Sequence, residues 1–131
     1  MSQSFETAHW PVEIRHKQAE RRLEIEFDDG QVFTLPAELL RVESPSAEVQ
    51  GHGPSQKQVV AGRREIGIMK IEAVGNYAIR ITFDDLHDTG IFTWQYLYEL
   101  GTNQAEVWQS YLDTLEAQGL SRNPDVPATR H

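Results

Sequence analysis

The side chains in this sequence that could do chemistry are few. They are five histidines and the aspartate pairs Asp28-Asp29 and Asp84-Asp85. His52 sits between Gly51 and Gly53, where a ring is freely presented, and His87 is followed by Asp88. A metal site needs converging ligands, and these two histidines with Glu43, Glu48 or Asp88 could supply them. Loop histidines without a metal are commoner, and His9, His16 and His131 lie near a terminus or a polar turn and carry no case. The aspartate pairs admit a carboxylate-catalysis reading. Each follows an alternating apolar run, however, and Asp hydrogen-bonds its own turn backbone, so turn chemistry is the better account. Asp84, Asp85, His87 and Asp88 could meet a hard cation, but their spacing matches no calcium loop.

No P-loop, GxGxxG, HExxH, GxSxG or EF-hand pattern is present. With no cysteine, disulfides, thiolate catalysis and Cys-ligated zinc or iron–sulfur clusters are excluded within the chain. No catalytic constellation emerges, and no cofactor is expected. A net charge of −8 argues against general binding of nucleic-acid backbones, which needs clustered Lys and Arg. Lys57, Arg63, Arg64 and Lys70 form a locally basic stretch that could meet an acidic partner, though a solvated strand edge accounts for it better. No apolar run approaches the ~20 residues of a membrane span. The N-terminus lacks a basic-then-apolar signal pattern, so a cytoplasmic location is the default expectation.

The elements that must position these groups follow from periodicity. At 131 residues, 39% apolar and 24% charged, the chain suits one globular domain. One pattern occurs twice: Leu23 to Leu35 runs into Pro36-Ala37-Glu38, and Ile79 to Trp94 into Gln95-Tyr96-Leu97. Each copy alternates apolar and polar residues, breaks at Phe-Asp-Asp, resumes, and turns helical. In the first copy a two-residue Asp-Gly loop would pair Phe27 with Val32 and split the apolar groups between faces. A three-residue loop, Asp28-Asp29-Gly30 with Gly30 left-handed, pairs Ile25 with Phe33 and Leu23 with Leu35 and is preferred. In the second, a loop from Asp84 to Thr89 sets Ile81 opposite Phe92 and Ile79 opposite Trp94. Leu86-His87-Asp88-Thr89 is then an insertion at the tip, a reasonable place to seek function.

Residues 1–9 are a tail. Val12 and Ile14 mark a first strand, and Pro36 opens a short helix through Leu40. Residues 44–55 form a long turn-rich connection with at most one turn or short strand at Ala47 to Gln50. Val59 to Ala61 is read as helical, ended by Gly62. Ile66 to Val74 is a strand with Gly67 a candidate bulge, pairing Ile71 with Ile79 and Met69 with Ile81. A short helix after Trp94 ends at Gly101. Asn103 with Glu106 forms a capping box for the main helix, whose buried stripe is Trp108, Tyr111, Leu112 and Leu115. Gly119 stops it, and residues 120–131 are a second tail. The fold class is therefore α+β: antiparallel hairpins in one or two small sheets, packed with short helices and a C-terminal amphipathic helix.

Taken together, residues 22–53 and 74–101 resemble a known family. The carriers are the Phe-Asp-Asp hairpins, Leu40-Arg41-x-x-Ser44-Pro45-Ser46, and Trp94-x-Tyr96-Leu97-Tyr98-x-Leu100-Gly101. The chain, from about residue 10 to 120, is similar to the stand-alone bacterial DUF971 proteins. These share the domain at the N-terminus of gamma-butyrobetaine and trimethyllysine hydroxylases, and the one appended to some Mrp/ApbC-type iron–sulfur assembly ATPases. The resemblance implies a non-catalytic accessory or protein-interaction domain with an unidentified protein partner, linked to iron–sulfur or cofactor assembly. The alternative is a small-molecule or metal-binding protein, or a component of a 2-oxoglutarate oxygenase-type system, using the 44–55 loop and His87. In the hydroxylases this domain holds structural zinc through Cys-Pro-Cys-x-x-Cys and a later His. Here those positions read Ser44, Ser46, Val49 and His87, so the resemblance implies a zinc site that has lost its thiolates. Ser44, Ser46, His52, His87 and Asp88 are the candidate binding residues, and no metal is expected.

Overall fold

The computed structural model describes residues 8–51, 53 and 56–124. The twice-used pattern becomes two three-stranded antiparallel sheets, each running directly into a helix. The first sheet is β1 (Pro11–Lys17), β2 (Arg22–Phe27) and β3 (Val32–Pro36), followed by α1 (Ala37–Val42). A single helical turn, α2 (Ala47–Gln50), lies in the connection. The second sheet is β4 (Ile68–Val74), β5 (Ala78–Phe83) and β6 (Ile91–Thr93), followed by α3 (Trp94–Thr102) and α4 (Gln104–Ala117). The α+β class is as the periodicity predicts.

Both sheets feed one core. Leu23, Ile25, Phe27 and Leu35 from the first meet Ile79, Ile81, Phe83 and Phe92 from the second, with Leu39 and Leu40 of α1 and Leu97 of α3. Phe27, Phe83 and Phe92 are fully buried. Each such side chain stabilises the fold by roughly 1.5–3 kcal/mol relative to leaving it in water. The stripe on α4 builds a second cluster, in which Tyr111 and Leu115 pack with Val42 and the 59–61 segment. Trp108 touches both clusters and joins them.

The first hairpin has the preferred register, Ile25 with Phe33 and Leu23 with Leu35, and Gly30 has φ of 89°. The second sheet differs from expectation. β5 and β6 pair Ile79, not Ile81, with Phe92, and Trp94 lies in α3. β4 and β5 pair Ile71 with Ile81, not Ile79. Both shifts are of two residues, which keeps the side chains beyond the β4 bulge on their expected faces, so alternation could not distinguish them. The β4–β5 turn takes in Tyr77, and a bulge between Ile68 and Lys70, beyond Gly67, leaves Met69 50% exposed.

Three local expectations are also corrected. Val59 to Ala61 is not helical. These residues pack on α4, and the Val60 carbonyl accepts from the Tyr111 hydroxyl at 2.7 Å. Gly101 lies inside α3 because the Phe33 ring occupies its side-chain space; a Cβ there would sit 2.3 Å from the ring. Asn103 makes no side-chain cap, since its amide instead donates to the Glu99 carbonyl at 3.0 Å. Gly119 does stop α4: its φ is 68°, and Leu120 N–H reaches back to the Leu115 carbonyl at 2.8 Å. Beyond it, Arg122 clamps the buried Glu38 carboxylate through two bonds of 2.7 and 2.8 Å and lies 5.0 Å over the Trp108 ring.

Candidate functional site

The two Phe-Asp-Asp turns begin identically. In the first, Gly30 N–H bonds the Phe27 carbonyl, Phe27 N–H bonds the Gln31 carbonyl, and Gln31 N–H bonds Asp29 Oδ1. In the second, Leu86, Phe83, His87 and Asp85 repeat each bond in turn. The extra residues therefore follow a regular three-residue turn, and the expected insertion does not begin at Leu86. Leu86 takes the left-handed place of Gly30, with φ of 73°, and its side chain is among the exposed large apolar groups at 72%.

The carboxylates of the second turn do more than close it. Asp84 Oδ2 accepts from Gly67 N–H at 2.9 Å. Asp85 Oδ2 accepts from Arg41 Nε and Arg63 Nε, each at 2.8 Å. Burial pushes the Asp85 carboxyl up, but the His87 N–H and the two guanidinium groups outweigh it and hold the group below its ordinary value. This anchoring aims His87, two residues beyond Asp85, into the chain rather than outward.

His87 meets the connection after α1. Its Nε2 lies 3.0 Å from Ser44 Oγ and 3.4 Å from Ser46 Oγ, and its Nδ1 lies 3.4 Å from Glu48 Oε1. Glu48 Oε1 also accepts from the Thr89 hydroxyl at 2.8 Å. Burial, with the nearby Arg41 charge, pushes the imidazole below its ordinary value against Glu48, Asp85 and Asp88. A neutral ring with its proton on Nδ1 facing Glu48 leaves Nε2 to accept from the Ser44 hydroxyl.

Serine, histidine and glutamate in this order have the connectivity of an activated nucleophile. The surroundings remove the chemistry. Ser44 is fully buried, and its Oγ accepts from Ser46 N–H at 3.3 Å. Gly90 is packed against it so closely that a Cβ there would lie 2.4 Å from Ser44 Oγ. No carbonyl carbon can approach that oxygen. Nor does the donor set fit a structural zinc: one imidazole and the Glu48 carboxylate stand beside two neutral hydroxyls, where the ion takes four thiolate, imidazole or carboxylate donors.

Of the residues singled out from sequence, Ser44, Ser46 and His87 are brought together. Val49 is buried in α2, Asp88 is exposed and acts on His87 only through its charge, and His52 lies outside the described residues. Sequence reasoning missed Arg41, because nothing local marks a partner across the fold, and it offered Glu48, which does face His87, only as one of several possible metal ligands. It also dismissed His9, which stacks on Tyr98 at 3.8 Å and lies 3.5 Å from Asp29 Oδ2. A cavity of about 680 Å³ runs along Leu39, Ala105, Trp108 and the Glu38–Arg122 pair and is lined by none of Ser44, Ser46 and His87. Among the described residues no helix is long and apolar enough to cross a membrane.

Comparison with known proteins agrees with this picture. No curated protein matches the chain. Two structures described as NMR solution structures are 44% and 45% identical, each with a TM-score of 0.78. They cover 90% and 96% of this chain and 93% of their own. A crystal structure from Acidithiobacillus ferrooxidans ATCC 23270, of a DUF971 protein of unknown function, is 38% identical with a TM-score of 0.59, covering 70% of this chain and 91% of its own. The family model described as gamma-butyrobetaine hydroxylase-like, N-terminal matches residues 14–98, and the chain belongs to that family, the DUF971 family.

Proposed function

We propose that this chain is a non-catalytic accessory domain that docks on a larger protein in iron–sulfur or cofactor assembly, with the tip of the second hairpin as its contact. The observation that carries this is Leu86. A β-carbon in the left-handed region costs about 1–2 kcal/mol, and the equivalent position of the first turn avoids that cost with glycine. Leu86 in return keeps 72% of its surface in solvent. An apolar side chain held in solvent by strained backbone is accounted for by a contact outside the chain. The resemblance to domains appended to assembly ATPases supplies the class of partner.

The test is affinity capture from native lysate using tagged full-length chain, with Leu86→Gly as the paired bait. The variant is expected to be at least as stable as the parent and to lose the captured partner. Equal capture by both baits would remove Leu86 from the interface. Metal content separates the alternative reading. The parent is expected to purify without stoichiometric zinc and to keep its melting temperature in chelator. Replacing Ser44, Ser46 and Val49 with Cys is expected to create zinc-dependent stability. Stoichiometric zinc in the parent would favour the metal-binding alternative.

A further inference from the structure

We propose that the chain also pairs with a second copy of itself, through the free edge of β4. β4 is bonded to β5 on one side and has no strand among the described residues on the other. Alternate residues of such an edge aim unpaired N–H and C=O groups outward. Its charges are arranged symmetrically about one residue, Lys70-Ile71-Glu72. In an antiparallel pair centred on Ile71, Lys70 of each copy lies opposite Glu72 of the other, and Ile71 meets Ile71. Centring on Lys70 or on Glu72 would set like charges opposite each other, so of the registers centred within this triplet only the Ile71 one pairs opposite charges.

Both charges are available for this. The side chains of Lys70 and Glu72 are 60% and 45% exposed, and their contact within the chain is a loose 3.6 Å. Apolar residues alternate with them along the edge: Met69, before Lys70, is 50% exposed, and Ile71, between the charges, is half-buried. β1 is the control. It is an edge strand of equal length carrying Glu13-Ile14-Arg15, but Arg15 is already held by Glu13 at 2.7 Å and Glu24 at 3.0 Å. Residues 14–17 are half-buried as well. The bulge next to Met69 and the turn at Gly75 bound the β4 ladder on both sides, which makes the pairing short and the dimer a weak, concentration-dependent one.

Sedimentation equilibrium of the full chain over a wide concentration range tests this, with circular dichroism melts to establish that each variant is folded. A reversible monomer–dimer equilibrium is expected. Lys70→Glu and Glu72→Lys are each expected to raise Kd about tenfold or more, since each sets like charges opposite at both symmetric positions. The double exchange, and an equimolar mixture of the two single variants, are expected to restore the parent's affinity. Leu86→Gly is expected to leave it unchanged, so this edge and the hairpin tip fail independently. A monomer at every concentration would overturn the proposal. So would a dimer insensitive to the single reversals, or single variants that the mixture fails to rescue.

Discussion

The two Phe-Asp-Asp turns use the same backbone bonds to different ends. In the first, Gly30 fills the left-handed position without a β-carbon, and the chain returns at once into β3. In the second, Leu86 fills it at a cost, and the return strand is delayed. Leu35 pairs with Leu23, whereas the residue pairing with Ile79 is Phe92, one residue later relative to its turn. That residue and the short β6 free His87 to Gly90 from the ladder. The freed segment crosses to the connection after α1 and is tied there by Ser44, Ser46 and Glu48. A one-residue difference thus separates a plain hairpin from one that fastens two loops together. The fastening is made of the Ser44 and Ser46 hydroxyls, the His87 imidazole and the Glu48 carboxylate.

If the turns are structurally equivalent, the phenylalanines that open them should count equally. Phe27→Ala and Phe83→Ala each empty a fully buried site in the shared core, and each is expected to cost about 3–5 kcal/mol in denaturant melts. A difference of more than about 2 kcal/mol between them, wider than that range itself, would break the equivalence. The next effect belongs to the second hairpin alone. Gly90→Ala forces a methyl group onto Ser44 Oγ and should cost about 1–3 kcal/mol by overpacking. Adding Ser44→Ala removes the obstructing atom, so the double variant is expected to recover part of that loss. Strict additivity would show that the two residues do not meet.

A smaller pair of changes exchanges the left-handed residues. Leu86→Gly is expected to raise stability by ~1 kcal/mol and Gly30→Leu to lower it by a similar amount, because the β-carbon penalty moves from one turn to the other. Equal and opposite shifts in the denaturation midpoint would sharpen the comparison; no gain from Leu86→Gly would mean that Leu86 packs usefully within the chain.

The smallest effect is one of pH. The folded protein keeps His87 neutral below the ordinary imidazole value of 6.5, so below it the unfolded chain binds more protons. The His87 contribution is therefore complete above pH 6.5 and is lost as pH falls through the depressed folded value. Asp85, also held down, loses its own contribution only below the carboxylate value of 3.8. His87→Gln makes the second turn match Gln31 of the first. It is expected to flatten the melting-temperature profile just below pH 6.5, and an unchanged slope would assign that slope to another group.

By itself the sequence determined whatever depends on neighbours a few residues apart. Alternation in Leu23-Glu24-Ile25-Glu26-Phe27 fixed which face of β2 is buried, the apolar excess on that face fixed the three-residue turn, and Gly30 and Gly119 marked left-handed positions. It left the second sheet ambiguous by two residues, because a period of two is blind to such a shift. It also gave no sign that Gly101 faces a ring rather than ending a helix. Only the tertiary structure decided the rest. Arg41 meets Asp85 across 44 residues, Ser44 meets His87 across 43, and Arg122 meets Glu38 across 84. Such pairs leave no periodic trace in the chain. Their worth depends on burial, which exists only once both sheets have closed on one core. The resemblance placed Ser44 and His87 near each other. Packing made Ser44 inaccessible, and so turned what reads as a nucleophile and its base into a fastening.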